Sequence, residues 1–489
     1  MNEYRQLFHR IGLIGIAQLL IGLSGIVLLP ILTKSLPIED YGTWVQIVVT
    51  LNLISTIVLL GLPFTMVRFL AAVKIRAEIL EGFYSITFVV AIIAGLTSFV
   101  LFLLADYVAS ALFNNNVLIT QIFCIVLFFE CIIGLVINYF RTFQQIKLYS
   151  FFLIFRTCLQ LLLVGFFVLS GYEIFGAIMG LLITDIVLFL TMAMKIFVEI
   201  GIAIPKFLHL REYLSFCLPT VPQTLSSWVV DSGDRYFIGI LLGNAFVGYY
   251  SPAYALGSLI MVLSAPLLVM LPPVLSKYYD EKDEEDIKKT LTYSFKYYLL
   301  LAIPAVVGLS LLSKSLLMLL TTPEIALNGY MITPFIAAST LFLGLYLILV
   351  QILLLVKKTV ITGKIWIFAA FLNFGLNMVL IPWIGLLGAA IATLIAFFLV
   401  FILTYYYSFK YITFDLQSIF IFKCVVSSLV MGIVIIILGD HFNQSLIYLM
   451  LLVIISSLLY GIIIFILGGF KKEEIIFFKT ILSGFNSKQ

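Results

Sequence analysis

SLPIEDYGTWVQIVVTLNLI, residues 35–54, lies on LLGNAFVGYYSPAYALGSLI, residues 241–260, with Gly42 over Gly248. Three more pairs keep nearly the same separation, roughly 210 residues. They are GFYSITF at 82 with LTYSFKY at 291, LITQIF at 118 with MITPFI at 331, and FGAIMGLL at 175 with LGAAIATL at 387. A spacing that holds over so much chain is a duplicated unit, and a duplication decides the architecture before any local motif does.

The solvent of that unit follows from composition. Of 489 residues, 63% are hydrophobic and only 11% are charged. Soluble domains carry about 25% charged residues. Apolar runs of about 20 residues, the length that crosses a hydrocarbon core, recur from end to end. Strands of a barrel would be short and alternating, so continuous runs exclude one. The chain reads as an all-α polytopic membrane protein with fourteen transmembrane helices, two of them at about 43–66 and 213–241. The first span exceeds a typical signal core, and no small-residue cleavage site follows it.

Spans 1–6 repeat as spans 7–12, and an even number per unit makes the repeat parallel. The expected organisation is a six-helix lobe over 1–205, a second over 206–412, and two extra helices with a cytoplasmic tail over 413–489. Two parallel bundles around a membrane-normal axis form a recurring secondary-transporter plan. In it the substrate site lies between the bundles and one rocks against the other.

Lysine and arginine set the expected orientation. With the N-terminus inside, nearly all of the 28 fall in inside loops or at inner span ends. Lys34 and Lys314 lie outside, and Arg156 and Arg235 lie within spans. This positive-inside pattern places both termini in the cytoplasm of a cell (inner or plasma) membrane. The run SKYYDEKDEEDIKKT at 276–290 reads as a solvated inside connector. The five cysteines and three histidines give no disulfide framework and no metal motif. Walker, HExxH and GxSxG motifs are absent, and no soluble catalytic domain is legible, so an enzyme is not expected. No cofactor is expected beyond a coupling ion, sodium or proton.

Charges inside spans cost about 2.5–3.5 kcal/mol each on insertion scales, so each is a candidate functional residue. The interior set is Glu130, Arg156, Asp185, Asp231, Asp234 and Arg235. The seventh span holds three of them. Its polar residues Thr220, Gln223, Thr224, Ser227, Asp231, Asp234 and Arg235 step mostly by threes and fours, which places them on one helix face. Pro219 and Pro222 predict a bend or broken turn of the kind tolerated beside a cavity. Asp231 and Arg235, four apart, are expected to pair along the helix, which leaves Asp234 to find a charge elsewhere. Arg156 is expected either to pair with Asp185 or Glu130, or to meet substrate. Arg68 and Lys296 mark inner ends of spans and read as interfacial anchors. Asn373 and Asn377 read as helix–helix hydrogen-bonding residues.

GLPFTMVRF at 61–69, after LPIEDYGTW, resembles the start of polysaccharide and O-antigen flippases. LPTVPQTLSSWVVDSGDRYFIGILLGNAFVGYYSPAY at 218–254 resembles their seventh and eighth helices, where DRYxIGxxLG…VGxYSxAY is typical. The likeness covers nearly the whole chain. It implies the MATE-like fold of the multidrug/oligosaccharidyl-lipid/polysaccharide superfamily. It also implies movement of undecaprenyl-diphosphate-linked oligosaccharide from the cytoplasmic to the outer leaflet. In relatives, cationic cavity residues meet the diphosphate; by position these fall on Arg68 and on Asp234–Arg235.

The candidate substrate cavity is therefore Arg68, Arg156, Asp185, Gln223, Ser227, Asp231, Asp234 and Arg235, with no catalytic and no metal residue. The expected partners are a polyprenyl-diphosphate-linked glycan, membrane lipid and other polysaccharide-assembly proteins, not nucleic acid. An ion-coupled multidrug antiporter of the same fold is the alternative, kept open by Asp185, Asp231 and Asp234. A membrane glycosyl polymerase would need a large outside loop, and the outside loops here are short.

Overall fold

Apolar helix-forming runs ended by short turns give a chain of helices, and the computed structural model describes residues 2–442, 446–470 and 474 of it. The tail lysines Lys471, Lys472, Lys479 and Lys488 lie outside the described residues. In chain order the helices are α1 Asn2–Ser35, α2 Ile38–Leu59, α3 Leu62–Leu70, α4 Arg76–Leu103, α5 Ala105–Leu112, α6 Val117–Thr142 and α7 Ile146–Phe167. Then follow α8 Glu173–Ile200, α9 Leu210–Cys217, α10 Val221–Ser232, α11 Asp234–Leu241, α12 Asn244–Ser258 and α13 Ala265–Asp280. The last are α14 Glu284–Leu320, α15 Pro323–Gly329, α16 Ile332–Leu355, α17 Thr359–Ile384, α18 Leu386–Ser408, α19 Ser418–Phe442 and α20 Leu446–Ile466.

This order is consistent with fourteen crossings. Among the described residues, 11 stretches are by themselves long and apolar enough to cross a membrane, and one of these, 146–200, holds both α7 and α8. The expected span 43–66 is two helices, because Leu60 (φ 49) and Gly61 (φ 76) turn the chain left-handed between α2 and α3. Among the described residues no strand is present.

Side chains of α1 to α8, joined by Tyr213 and Cys217 of α9, share one buried core from Leu29 to Cys217. The rest of the chain builds smaller cores, and α19 and α20 close another against α14. The two halves approach closely at the repeat-equivalent glycines. A β-carbon on Gly42 would overlap the carbonyl of Asn244, and one on Gly248 would fall 2.7 Å from the carbonyl oxygen of Ile38. Only glycine lets α2 and α12 meet backbone to backbone. Beside that contact, Asn244 Nδ2 donates to the Leu112 carbonyl (2.8 Å), and lies 3.1 Å from Thr43 Oγ1 and from Asn114 Oδ1. At the far end of α1, Lys34 Nζ donates to the carbonyl of Leu319 at 2.8 Å.

Two expectations are revised. The run 276–290 is solvated as expected, but it is not an irregular loop: it is the end of α13 and the start of α14, with a turn between. Asp283 caps α14 by accepting from the Asp286 amide (3.0 Å), and Glu284–Lys288 (3.1 Å) and Glu285–Lys289 (2.7 Å) pair along its first turns. Alternating charges at helical spacing support a helix as well as they suit a solvated loop. Lys296 is not an interfacial anchor either. Its side chain is 2% exposed, and its ammonium binds both carboxylate oxygens of Glu474 at 2.7 and 2.8 Å.

Candidate functional site on the broken seventh span

The span expected at 213–241 is three helices. Its foot, α9, packs against the first half, where Tyr213 and Cys217 enter the large core and Thr65 Oγ1 donates to the Tyr213 carbonyl at 3.4 Å. The segment leading into it is tied down as well. The Arg76 guanidinium donates to the carbonyl of Ile200 (3.1 Å), Tyr84 to that of Gly201 (2.6 Å), and the Leu208 amide donates to Glu81 (3.0 Å). A single 3-10 turn, Leu218–Thr220, holds Pro219, and Pro222 stands in the first turn of α10. The prolines thus break the helix where the sequence predicts it. Beyond the break, α10 and α11 pack on α17, α18 and α12 of the second half, and on α2 of the first.

The charged cluster sits where α10 gives way to α11 at Gly233. Asp234 is fully buried and Arg235 is 8% exposed. Arg235 does not bond the carboxylate of Asp231 as expected. Its Nη1 donates to Asp234 Oδ1 (2.9 Å) and to the main-chain carbonyl of Asp231 (2.6 Å). The spacing rule assumes that the two side chains look only at each other. Here two tyrosines of α12 intervene. Tyr250 donates to Asp234 Oδ2 at 2.5 Å, and Tyr254 donates to Asp231 Oδ1 at 3.0 Å. The Arg235 guanidinium lies over both rings, 3.8 Å from the Tyr254 centroid and 5.7 Å from that of Tyr250. Thr393 of α18 adds a contact to Asp234 Oδ2 at 3.4 Å.

The same segment is stitched to α2. Gln46 Nε2 donates to the Arg235 carbonyl (2.8 Å), and Tyr236 donates to Thr50 Oγ1 (2.7 Å). None of these partners was legible from the polar stripe alone. The one signal was Tyr250 and Tyr254, four apart in YYSPAY, which a helix places on one face.

The other candidates divide. Gln223 and Ser227 are half-buried on α10, with the Ser227 hydroxyl turned back to the Thr224 carbonyl (2.8 Å), and Asp231 is exposed. Arg156 of α7 belongs to a separate group: it bonds Glu130 of α6, and Asp185 of α8 lies 3.7 Å away. Arg68 joins neither. It is exposed on α3 and has no ion pair among the described residues. Asn373 and Asn377 bond each other along α17 (3.0 Å) instead of bridging helices. Among the described residues, no group of three or more His, Cys, Asp or Glu could hold a metal ion.

Against known proteins, the profile for polysaccharide biosynthesis proteins matches residues 7–279, more than half of the chain. The chain belongs to the polysaccharide biosynthesis protein family. The MatE profile matches residues 219–379, inside the second half. Two curated relatives of this family member come from Haloferax volcanii. A "probable low-salt glycan biosynthesis flippase" is 24% identical over 47% of this chain and 48% of its own length. A "probable flippase" is 28% identical over 35% of each. The chain thus spans half or less of the length of the curated relatives it matches. Among solved structures, the lipid II flippase in an inward closed conformation superposes with TM-score 0.75 over 96% of this chain and 99% of its own, at 18% identity. An inward-facing multidrug resistance MATE family transporter gives 0.65 over 81% and 97%, at 15% identity. At such identities the likeness is one of fold, and the fold is MATE-like.

Proposed function

We propose that this multi-pass membrane protein is a flippase. It moves polyprenyl-diphosphate-linked oligosaccharide units from the cytoplasmic to the outer leaflet by alternating access, for cell-surface polysaccharide biosynthesis. The observation that carries this reading is the broken, charged helix α9–α11, whose foot is in the core of one half and whose charges are in the other. A diphosphate with its sugars cannot cross hydrocarbon unaided, because burying unpaired charge costs many kcal/mol. A polar path between two lobes, 1–205 and 206–412, replaces its hydration while the polyprenyl tail stays in lipid. Residues 413–489 append two helices and a tail. The relatives named as flippases support the same reading.

In this scheme Arg68 meets the diphosphate, since it is exposed and has no ion pair among the described residues, and a guanidinium fork binds two phosphate oxygens. Gln223, Ser227 and Asp231 form the polar wall. Arg235 and Asp234 hold that wall in place. Arg156 and Asp185 form a second charged centre. The protein lies in the cell membrane with both termini cytoplasmic, acts without catalytic chemistry, and works beside other polysaccharide-assembly proteins. Its coupling ion is sodium or a proton.

Deleting the gene tests the reading: lipid-linked repeat units accumulate on the cytoplasmic leaflet and surface glycan falls. The MatE match over 219–379 supports a second reading, an ion-coupled multidrug antiporter. It takes over if glycan is unchanged while drug sensitivity rises.

A further inference from the structure

Two acids share one base inside the first half. Glu130 of α6 holds the guanidinium of Arg156 in a direct hydrogen bond. Asp185 of α8 is 1% exposed, stands 3.7 Å from the same guanidinium, and neither of its carboxylate oxygens has a hydrogen-bond partner. A buried carboxylate left without donors is a costly arrangement. The charged side chains facing Asp185 are Arg156 and Glu130. The other helix packed on α8 is α2, which keeps its only acids, Glu39 and Asp40, in its first turn. Lys195, on α8 itself, lies about three turns away.

We infer that Asp185 is a proton-loading site, occupied while Arg156 is committed to Glu130 and emptied when Arg156 swings across to it. The balance is simple. With the proton on Asp185, the three groups sum to zero: one carboxylate, one guanidinium, one neutral carboxyl. When the O–H bond of Asp185 breaks, the proton passes to water at the partly exposed side of Arg156, whose side chain is 28% exposed. The carboxylate left behind draws the guanidinium over and closes the 3.7 Å gap, which loosens its bond to Glu130. A metal cation is a poor occupant, because the guanidinium repels it at this distance. The switch transfers one strong link from the α6–α7 pair to the α7–α8 pair, so proton occupancy is coupled to helix packing. The inference deepens the transport reading and rests on it for its purpose, since it names which ion is carried and where.

Infrared difference spectroscopy on the full chain in phosphatidylcholine/phosphatidylglycerol nanodiscs tests it without any substrate. The wild type at neutral pH shows a protonated-carboxyl band that shifts when aspartate is carbon-13 labelled. Asp185→Asn removes it. Glu130→Gln also removes it, although Asp185 is still present, because Arg156 is released to ionise Asp185. Arg156→Gln keeps it. No labelled-aspartate band in the wild type, or a band that survives Glu130→Gln unchanged, overturns the inference. Should Asp185→Asn not fold, the labelled wild type and Glu130→Gln still decide. A chain that exports no lipid-linked glycan would sink the flippase reading and leave these spectra to stand or fall separately.

Discussion

Arg235 lies over the ring of Tyr254, 3.8 Å from guanidinium carbon to ring centroid, while the hydroxyl of the same tyrosine bonds Asp231 at 3.0 Å. One residue of α12 therefore holds two of the three charges of the broken span, and the third, Asp234, is held by Tyr250 and Arg235. A desolvated cation–π contact of this kind is worth about 2 kcal/mol. The charges in this segment are held both along their own segment, by the bonds of Arg235 to Asp234 and to the Asp231 carbonyl, and from the neighbouring helix, by the two tyrosines.

Arg235→Ala should strip Asp234 of its ion-pair partner in a fully buried site, a loss of about 3–5 kcal/mol. Thermal unfolding of purified protein and membrane abundance should both fall. The double change Asp234→Ala/Arg235→Ala should recover most of the loss, because no buried charge is then left alone. Equal damage in the single and double variants would refute the pair as the source of stability.

Gly42→Ala should destabilise by about 1–3 kcal/mol, the cost of overpacking a close contact, because the added carbon overlaps the Asn244 carbonyl. Gly375→Ala is the control. It is also in a helix, but an added carbon meets nothing within 4 Å, so it should be neutral or stabilise by up to about 1 kcal/mol. Denaturation midpoints of the two variants decide the matter. If both shift alike, the α2–α12 contact is looser than described.

Arg68 is exposed on α3, so Arg68→Ala should leave stability within about 0.5 kcal/mol. Export of lipid-linked glycan should nevertheless fall about tenfold or more, the loss of a charge-assisted contact of about 1.5–3 kcal/mol. Arg68→Lys should keep only part of the activity, since the fork is gone. Unchanged export in Arg68→Ala would remove this residue from the path.

The proposed orientation can be read from single cysteines in a background lacking the native five. Asn115, in the turn between α5 and α6, and Glu281, in the turn between α13 and α14, are both exposed. An impermeant thiol reagent added to intact cells should label Asn115→Cys and spare Glu281→Cys. The reverse pattern would invert the topology.

Much of this fold is written in run length, because a hydrocarbon core admits few alternatives to a helix of about 20 residues. The break in the seventh span was legible too, since Pro219 and Pro222 cannot supply amide donors. What the sequence hid were the choices made between helices. Arg235 had Asp231 one turn away and Asp234 beside it, and only the tyrosines of α12 settle which carboxylate it takes. Lys296 looked like an anchor because its partner, Glu474, is 178 residues on. The short helices α5 and α15 escaped because a few turns at the end of a span carry no 20-residue signal. Arg156 was legible as a charge needing an acid, but not as one base shared by two.

In the proposed alternating access, the glycine contact near the beginning of α2 would act as a fulcrum. From Gly42 to the end of α2 at Leu59 the helix runs about 26 Å at 1.5 Å per residue, whereas only about 6 Å of α2 lies on the other side. A rotation of about 15°, a size that rigid bodies in proteins reach, would sweep the long arm through about 7 Å and the short arm through under 2 Å. Such leverage would open one mouth widely while the other hardly stirs. A side chain added at Gly42 would therefore do more than loosen a contact: it would move the axle.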